Sequence, residues 1–343
     1  MDRFDIGVMM FAGVLVMIML RMSVAGAMLL IGGLGYAAIN GWLPLLSTLK
    51  TMTYSKFANN SMSVLPLFLL MGEFASRGKM NSRLFRAALS WFGHWRGGLA
   101  VAAIGGSAAF GAICGSSLAT AATMSKVALP EMRNAGYSPA LATGTLAAGG
   151  TLGILIPPSI ILVIYAVYTE QSVGALFVAA VIPGLIAMVQ YMIVVSLYAR
   201  LVPGACPSRP RASWSERVVA TRGAWPIVVV FGLIVTGIYR GWFSPTEGAG
   251  VGAFLMLVFA VVQGGMRSKG FIESILGAGL TTAMMFLIML SAELFSAALA
   301  SSQMPAELAR RVAMIDAGPT TIILFVMLAY MLLGCFMESL AMV

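Results

Sequence analysis

Charge is scarce in this 343-residue chain: Asp, Glu, Lys and Arg together make up 10% of it, and histidine occurs once. A water-soluble domain carries about 25% charged residues, so a soluble enzyme is excluded first. The single histidine, His94, stands between Trp91 and Trp95 in a tryptophan-rich stretch, leaving no zinc cluster and no base for an intramembrane serine nucleophile. Its neighbours suit interfacial packing. No glycine-rich loop ends in Lys followed by Ser or Thr, so the usual cradle for ATP phosphates is missing. The chain reads as a non-enzyme with no cofactor. Cys114, Cys206 and Cys335 show no paired spacing and read as small core residues rather than a disulfide frame. The 38 glycines follow no triplet period and the charges form no heptad edge, which removes collagen, coiled coil and disordered tail.

What is abundant is apolar: 60% of the residues are hydrophobic. Runs at the roughly 20-residue length of a membrane span recur along the chain, so the expected fold class is an all-α polytopic membrane protein in a lipid bilayer. The 21 Lys and Arg outnumber 12 Asp and Glu, but they sit in short loops between apolar runs and serve orientation rather than nucleic acid. Most of them, from Arg21, the segment 79–96, Lys126, Arg133, the central linker, Arg267 and Lys269, fall on one side when the N-terminus is placed outside. Only Arg3, Lys50, Lys56, Arg240, Arg310 and Arg311 fall on the other. The N-terminus, Met1 to Asp5, has no small-residue cleavage site after its apolar run, so the first run is expected to be a retained helix.

Residues 1–60 hold two apolar runs and a mixed stretch, Asn40 to Asn60, whose Trp42, Tyr54, Lys50 and Lys56 suit a membrane interface. In 79–96, Met80, Leu84, Ala87, Trp91 and Trp95 make an apolar stripe, and Lys79, Arg83 and Arg86 make a basic face. That predicts an in-plane amphipathic helix resting on anionic headgroups. Segment 98–129 is too short for two spans, and its middle, Gly111 to Ser117, is rich in Gly and Ser. A re-entrant hairpin is expected there, with a loop at 130–139 after it. Segment 139–169 is interrupted by Gly149-Gly150-Thr151 and by Pro157-Pro158, which predicts a broken helix. Residues 200–224 read as a hydrophilic linker, and 225–343 as a second half whose last apolar run has no polar stop. The chain is expected to be cut short there.

The chemistry is placed at the two interruptions. Unwound backbone at membrane depth exposes carbonyl oxygens to a cation, and half-helix N-termini direct positive dipole ends at an anion. The candidate ion and substrate site is Gly115, Ser116, Ser117, Thr120, Gly149, Gly150, Thr151, Pro157 and Pro158, with the hydroxyls completing an oxygen cage. The competing reading is close helix packing through Gly111-xxx-Gly115 and Gly149-xxx-Gly153. Glu293, inside the apolar run Phe271 to Leu299, is a possible intramembrane acid with either a functional or a pairing role. Glu73 and Glu338 are weaker cases.

Four stretches resemble one family: LPLFLLMGE at Leu65 to Glu73, GAICGSSLATAA at Gly111 to Ala122, LPEM at Leu129 to Met132 followed by Gly136-Tyr137, and GGTLGILIPPS at Gly149 to Ser159. Their order is similar to that of the large membrane subunit of tripartite ATP-independent periplasmic (TRAP) transporters. The resemblance implies a bacterial inner-membrane protein with a periplasmic N-terminus, importing an organic acid such as a C4-dicarboxylate or a sugar acid by sodium symport. It implies two partners, a periplasmic substrate-binding protein and a small membrane subunit. It further implies an elevator mechanism and two inverted repeats, the first over 61–199 and the second over 225–343. Sodium would then be held through Ser116, Ser117 and Thr151. On this reading the chain stops inside the second hairpin, at Gly334 to Glu338, and lacks the second broken helix. The alternatives are a two-hairpin sodium and anion symporter that needs no binding protein, and a truncated scaffold that transports nothing.

Overall fold

Among the described residues, seven helices begin at a serine whose hydroxyl accepts a hydrogen bond from the backbone N–H three residues on: Ser23, Ser116, Ser138, Ser159, Ser172, Ser213 and Ser244. Each cap satisfies one of the four donors that a helix start leaves open, and hydrocarbon offers no water to do so instead. The computed structural model describes residues 3–202, 204, 206–207, 210–314 and 318–334, and among them the regular structure is helical, with no strand. The expectations for Met1, Asp2, Arg209, Cys335 and the stretch through Glu338 lie outside the described residues.

The first helices are α1 (Arg3–Met19), α2 (Val24–Asn40) and α3 (Trp42–Phe57). After a short 3-10 turn at Asn60–Ser63 come α4 (Val64–Arg77) and α5 (Met80–Phe92). Then α6 (Gly98–Cys114), α7 (Ser117–Asn134), α8 (Pro139–Leu155) and α9 (Ile160–Tyr168) follow at short intervals. The longer α10 (Val173–Leu201), α11 (Trp214–Tyr239), α12 (Pro245–Val262) and α13 (Ser268–Ser301) lead to α14 (Met304–Met314) and α15 (Pro319–Gly334). Helices α10 to α13 are each long and apolar enough to cross a membrane, and α8 with α9 makes a fifth candidate bent by 43°. The chain is an all-α polytopic membrane protein.

The helix pattern differs from the sequence expectation in places, each for a local reason. Helix α8 runs unbroken through Gly149-Gly150-Thr151, whose glycines pack closely on α6 and α7, and gives way only after Leu155 at the Pro157-Pro158 pair. Helix α7 runs through Pro130 to Asn134 instead of stopping at the proline. Proline removes one N–H and does not by itself end a helix. The stop is Gly136 at φ 77, beyond which the Tyr137 N–H reaches the Met132 carbonyl at 3.0 Å, the glycine-closed helix end that a left-handed residue allows. Helix α11 begins at Trp214, inside the stretch read as linker, because Ser213 and Glu216 form a capping box.

The contacts divide the chain into two units: residues 63–281, and the helices before 63 with those after 281. In the latter, Met10 and Val14 of α1 pack with Ala27 and Met28 of α2 and Phe295 of α13. Helix α3 joins them through Phe57 stacked on Phe286 at 4.9 Å. On α14 the Arg311 hydrogen bond, helped by the charge of Arg310, holds the half-buried Glu307 carboxyl below the usual carboxylate range.

In the unit of residues 63–281, α5 is wedged among its neighbours instead of lying free. Met80, Leu84 and Phe85 are buried, whereas Trp91 and Trp95 remain exposed. Trp91 donates to the Thr221 hydroxyl at 3.0 Å, and the Arg217 guanidinium lies 5.4 Å from the Trp91 ring centre and 5.6 Å from that of Trp214. The basic face of α5 is also split. Arg83 turns inward and donates to the Gln263 side-chain and main-chain oxygens at 2.6 and 2.5 Å, closing the carbonyl end of α12. Charged hydrogen bonds of this kind contribute about 1.5 to 3 kcal/mol, so Arg83→Met should lower stability by about 2 kcal/mol, read as a fall in the thermal midpoint. Arg86→Met, at an exposed position, should leave the midpoint unchanged.

Candidate functional site

The hairpin turn forms because α6 ends on a glycine that is free to turn left-handed. Gly115 has φ 63, its N–H closes back on the Gly111 carbonyl at 2.8 Å, and Ser116 next to it caps α7. A side chain at 115 would be strained, and its Cβ would stand 3.0 Å from the Pro158 carbonyl oxygen and 3.2 Å from the Ile160 nitrogen. The turn therefore touches the break between α8 and α9. The Ile160 N–H donates to the Gly115 carbonyl at 3.3 Å, so one backbone hydrogen bond ties the two interruptions.

Within the break Pro157, Pro158 and Ser159 are buried. Ser159 bridges it, donating from its hydroxyl to the Ile154 carbonyl at 2.6 Å and accepting from the Leu162 N–H at 3.5 Å. Two helix C-termini, of α6 and α8, thus meet two helix N-termini, of α7 and α9. Carbonyl ends favour a cation, and amide ends favour an anion.

The walls are made by glycines. A Cβ on Gly111 would lie 2.5 Å from the Gly153 Cα, one on Gly150 would lie 2.6 Å from the Ala121 Cβ, and one on Gly149 would lie 2.9 Å from the Ser107 hydroxyl. Close packing is therefore the role of Gly111, Gly149 and Gly150 in this structure. Gly153 does more: its open side faces the Thr120 hydroxyl at 2.5 Å and the Ser116 carbonyl at 2.8 Å from the missing Cβ. Thr120 is 0% exposed and its hydroxyl has no partner among the described residues. A buried polar atom left so requires an explanation, and a bound ion is one.

The chain matches the family model described as the tripartite ATP-independent periplasmic transporter, DctM component, over residues 11–343. It belongs to that family. It is 38% identical over 281 residues to the C4-dicarboxylate TRAP transporter large permease protein DctM of Pseudomonas aeruginosa, a match covering 81% of this chain and 65% of that protein. It is 31% identical over 323 residues to the ectoine TRAP transporter large permease protein TeaC of Halomonas elongata, covering 94% of this chain and 73% of that protein. The sialic acid TRAP transporter large permease protein SiaM of Vibrio cholerae is 33% identical over 284 residues, covering 82% and 66%. The chain thus spans about two thirds to three quarters of the length of these relatives.

In this TRAP family member the expected site residues separate into groups. Gly115, Ser116, Ser117, Thr120, Gly150 and Pro158 gather at the junction, where the Ser117 carbonyl lies 3.2 Å from the Cβ position of Gly150. Gly149 packs on α6 nearby. Thr151 points elsewhere: its exposed hydroxyl donates to the Ala148 carbonyl at 2.7 Å and pairs with the Tyr191 hydroxyl of α10 at 3.2 Å. Glu293 belongs to the other unit, where it forms an ion pair with Lys56 at 3.2 Å. Glu73 pairs with Arg77 at 3.4 Å, and Arg77 also reaches Glu273. Three polar residues that hold this region together went unread in the sequence. Ser159 carried a legible signal, a cap residue directly before an apolar run; Ser107 and Tyr191, lone polar residues in apolar runs, carried none.

Proposed function

We propose that this chain is the membrane subunit of a secondary transporter that imports an organic acid into a bacterial cell by sodium symport. The observation that carries this reading is the junction itself, where Gly115 hydrogen-bonds Ile160 beside the buried, unpartnered Thr120 hydroxyl. The oxygens that meet beside Gly153, the Thr120 hydroxyl and the Ser116 carbonyl, suit a hard cation such as sodium better than a softer metal. The N-termini of α7 and α9 face the same junction and offer N–H groups to a carboxylate. The family membership supports the remaining parts. A periplasmic binding protein delivers the acid, a small membrane subunit completes the scaffold, and the domain carrying the hairpins moves across the inner membrane as an elevator, with the N-terminus of the chain on the periplasmic side. The named relatives act on a C4-dicarboxylate, ectoine and sialic acid, so the acid itself is assigned only by class.

The test is uptake into vesicles holding this chain with its small membrane subunit, using a panel of labelled C4-dicarboxylates and sugar acids. Accumulation should require both the binding protein and an inward sodium gradient. Accumulation of free acid without a binding protein, or in potassium as well as in sodium, would overturn the proposal.

A further inference from the structure

Helices α8 and α10 pack tightly near the break, where Gly184 meets Ile156, and leave a crevice of about 290 Å³ further along. It is lined by Leu141, Gly144 and Ala148 of α8, Val194 and Tyr198 of α10, and Ile104 of α6. From Leu141 to Ala148 it runs about 10 Å along the helix at 1.5 Å per residue. The Thr151 pair with Tyr191 lies at its break-side end. The Thr145 hydroxyl, on its wall, is buried and has no partner among the described residues.

The other end of the crevice is basic. Arg200 follows the lining residue Tyr198 by two positions in the last turn of α10. Gly97 approaches that same turn, its Cβ position standing 3.1 Å from the Ala199 Cβ and 3.5 Å from the Val195 Cγ1, and Val195 lines the crevice. Arg96 is therefore next to the mouth. Both arginines are exposed and form no ion pair among the described residues. No lining residue carries charge, so the crevice itself does not suit a carboxylate substrate.

We propose that this crevice is a binding site for one anionic phospholipid, with an acyl chain along α8 and the phosphate at Arg96 and Arg200. An apolar crevice ending in cations matches a molecule whose tail is apolar and whose head is negative. The site lies apart from the junction of hairpin and break and does not depend on which acid is carried.

Gly144 makes the proposal testable without disturbing the fold, because a Cβ there meets nothing within 4 Å and a non-glycine residue favours the helix. The full chain, purified in detergent, is titrated with phosphatidylglycerol or phosphatidylcholine and the bound lipid counted by native mass spectrometry. Wild type should retain one phosphatidylglycerol at concentrations where phosphatidylcholine is lost. Gly144→Leu should weaken that retention at least ten-fold with no fall in thermal midpoint. Gly232→Leu, also directed into open space but on α11, should not weaken it. Replacing Arg96 and Arg200 by glutamine should lower the preference for phosphatidylglycerol about five-fold per charge removed and leave phosphatidylcholine binding unchanged. Equal retention of the two lipids by wild type, wild-type retention by Gly144→Leu, or equal weakening by Gly232→Leu would each overturn the proposal.

Discussion

Gly111→Val lowers the stability of the folded chain by about 3 kcal/mol, at the upper end of what overpacking a close-packed interior costs. The Cβ it adds stands 2.5 Å from the Gly153 Cα and 3.0 Å from its nitrogen, and neither atom can swing aside as a side-chain tip does. Helix α8 must move away from α6, which opens the junction with it. A thermal midpoint in detergent reads the loss, and sodium-dependent uptake should disappear in the same variant. Gly144→Ala, on the open face of the same helix, should instead raise the midpoint slightly, since alanine is the better helix former by about 1 kcal/mol. A Gly111→Val protein as stable as wild type would mean that the packing of α6 on α8 is not as described.

Thr120→Val separates the proposed ion site from the packing. Valine keeps the shape of threonine and removes a buried hydroxyl that no described residue satisfies, so stability without sodium should stay equal or rise by about 1 kcal/mol. Sodium at about 100 times its dissociation constant should stabilise wild type by about 2.7 kcal/mol through binding to the folded state alone. The variant should lose most of that. Ser107→Ala is the matched control: its hydroxyl is equally buried and equally unpartnered, but it faces Gly149, two helical turns from the hairpin tip. It should keep the full sodium effect. Equal sodium stabilisation of Thr120→Val and wild type would remove Thr120 from the site.

The breaks at Gly115-Ser116 and at Pro157-Pro158 were legible because they rest on residues with few alternatives, whereas Gly149-Gly150-Thr151 stays helical. A glycine before two serines and a proline pair inside apolar runs leave the backbone little choice, and both sit where α6 turns into α7 and α8 into α9. The side-chain directions were partly legible and were missed. At about 100° per residue, Gly149, Gly150 and Gly153 share the face of α8 that packs on α6 and α7. Thr151 then falls on the opposite face, where Tyr191 holds it. What the sequence could not disclose is pairing across long separations, such as Lys56 with Glu293 and Arg83 with Gln263. Lys56 and Arg83 read equally well as solvated or headgroup-facing charges until their partners are located. The end of α7 shows the same limit at short range, because Pro130 invited a stop that Gly136 supplies.

The most direct test of the proposed site is equilibrium binding of radioactive sodium to the purified chain at constant ionic strength. Binding should saturate, be displaced by unlabelled sodium but not by potassium, and be strongly reduced in Thr120→Val. Binding that never saturates, or that potassium displaces as well as sodium does, would contradict the proposed site.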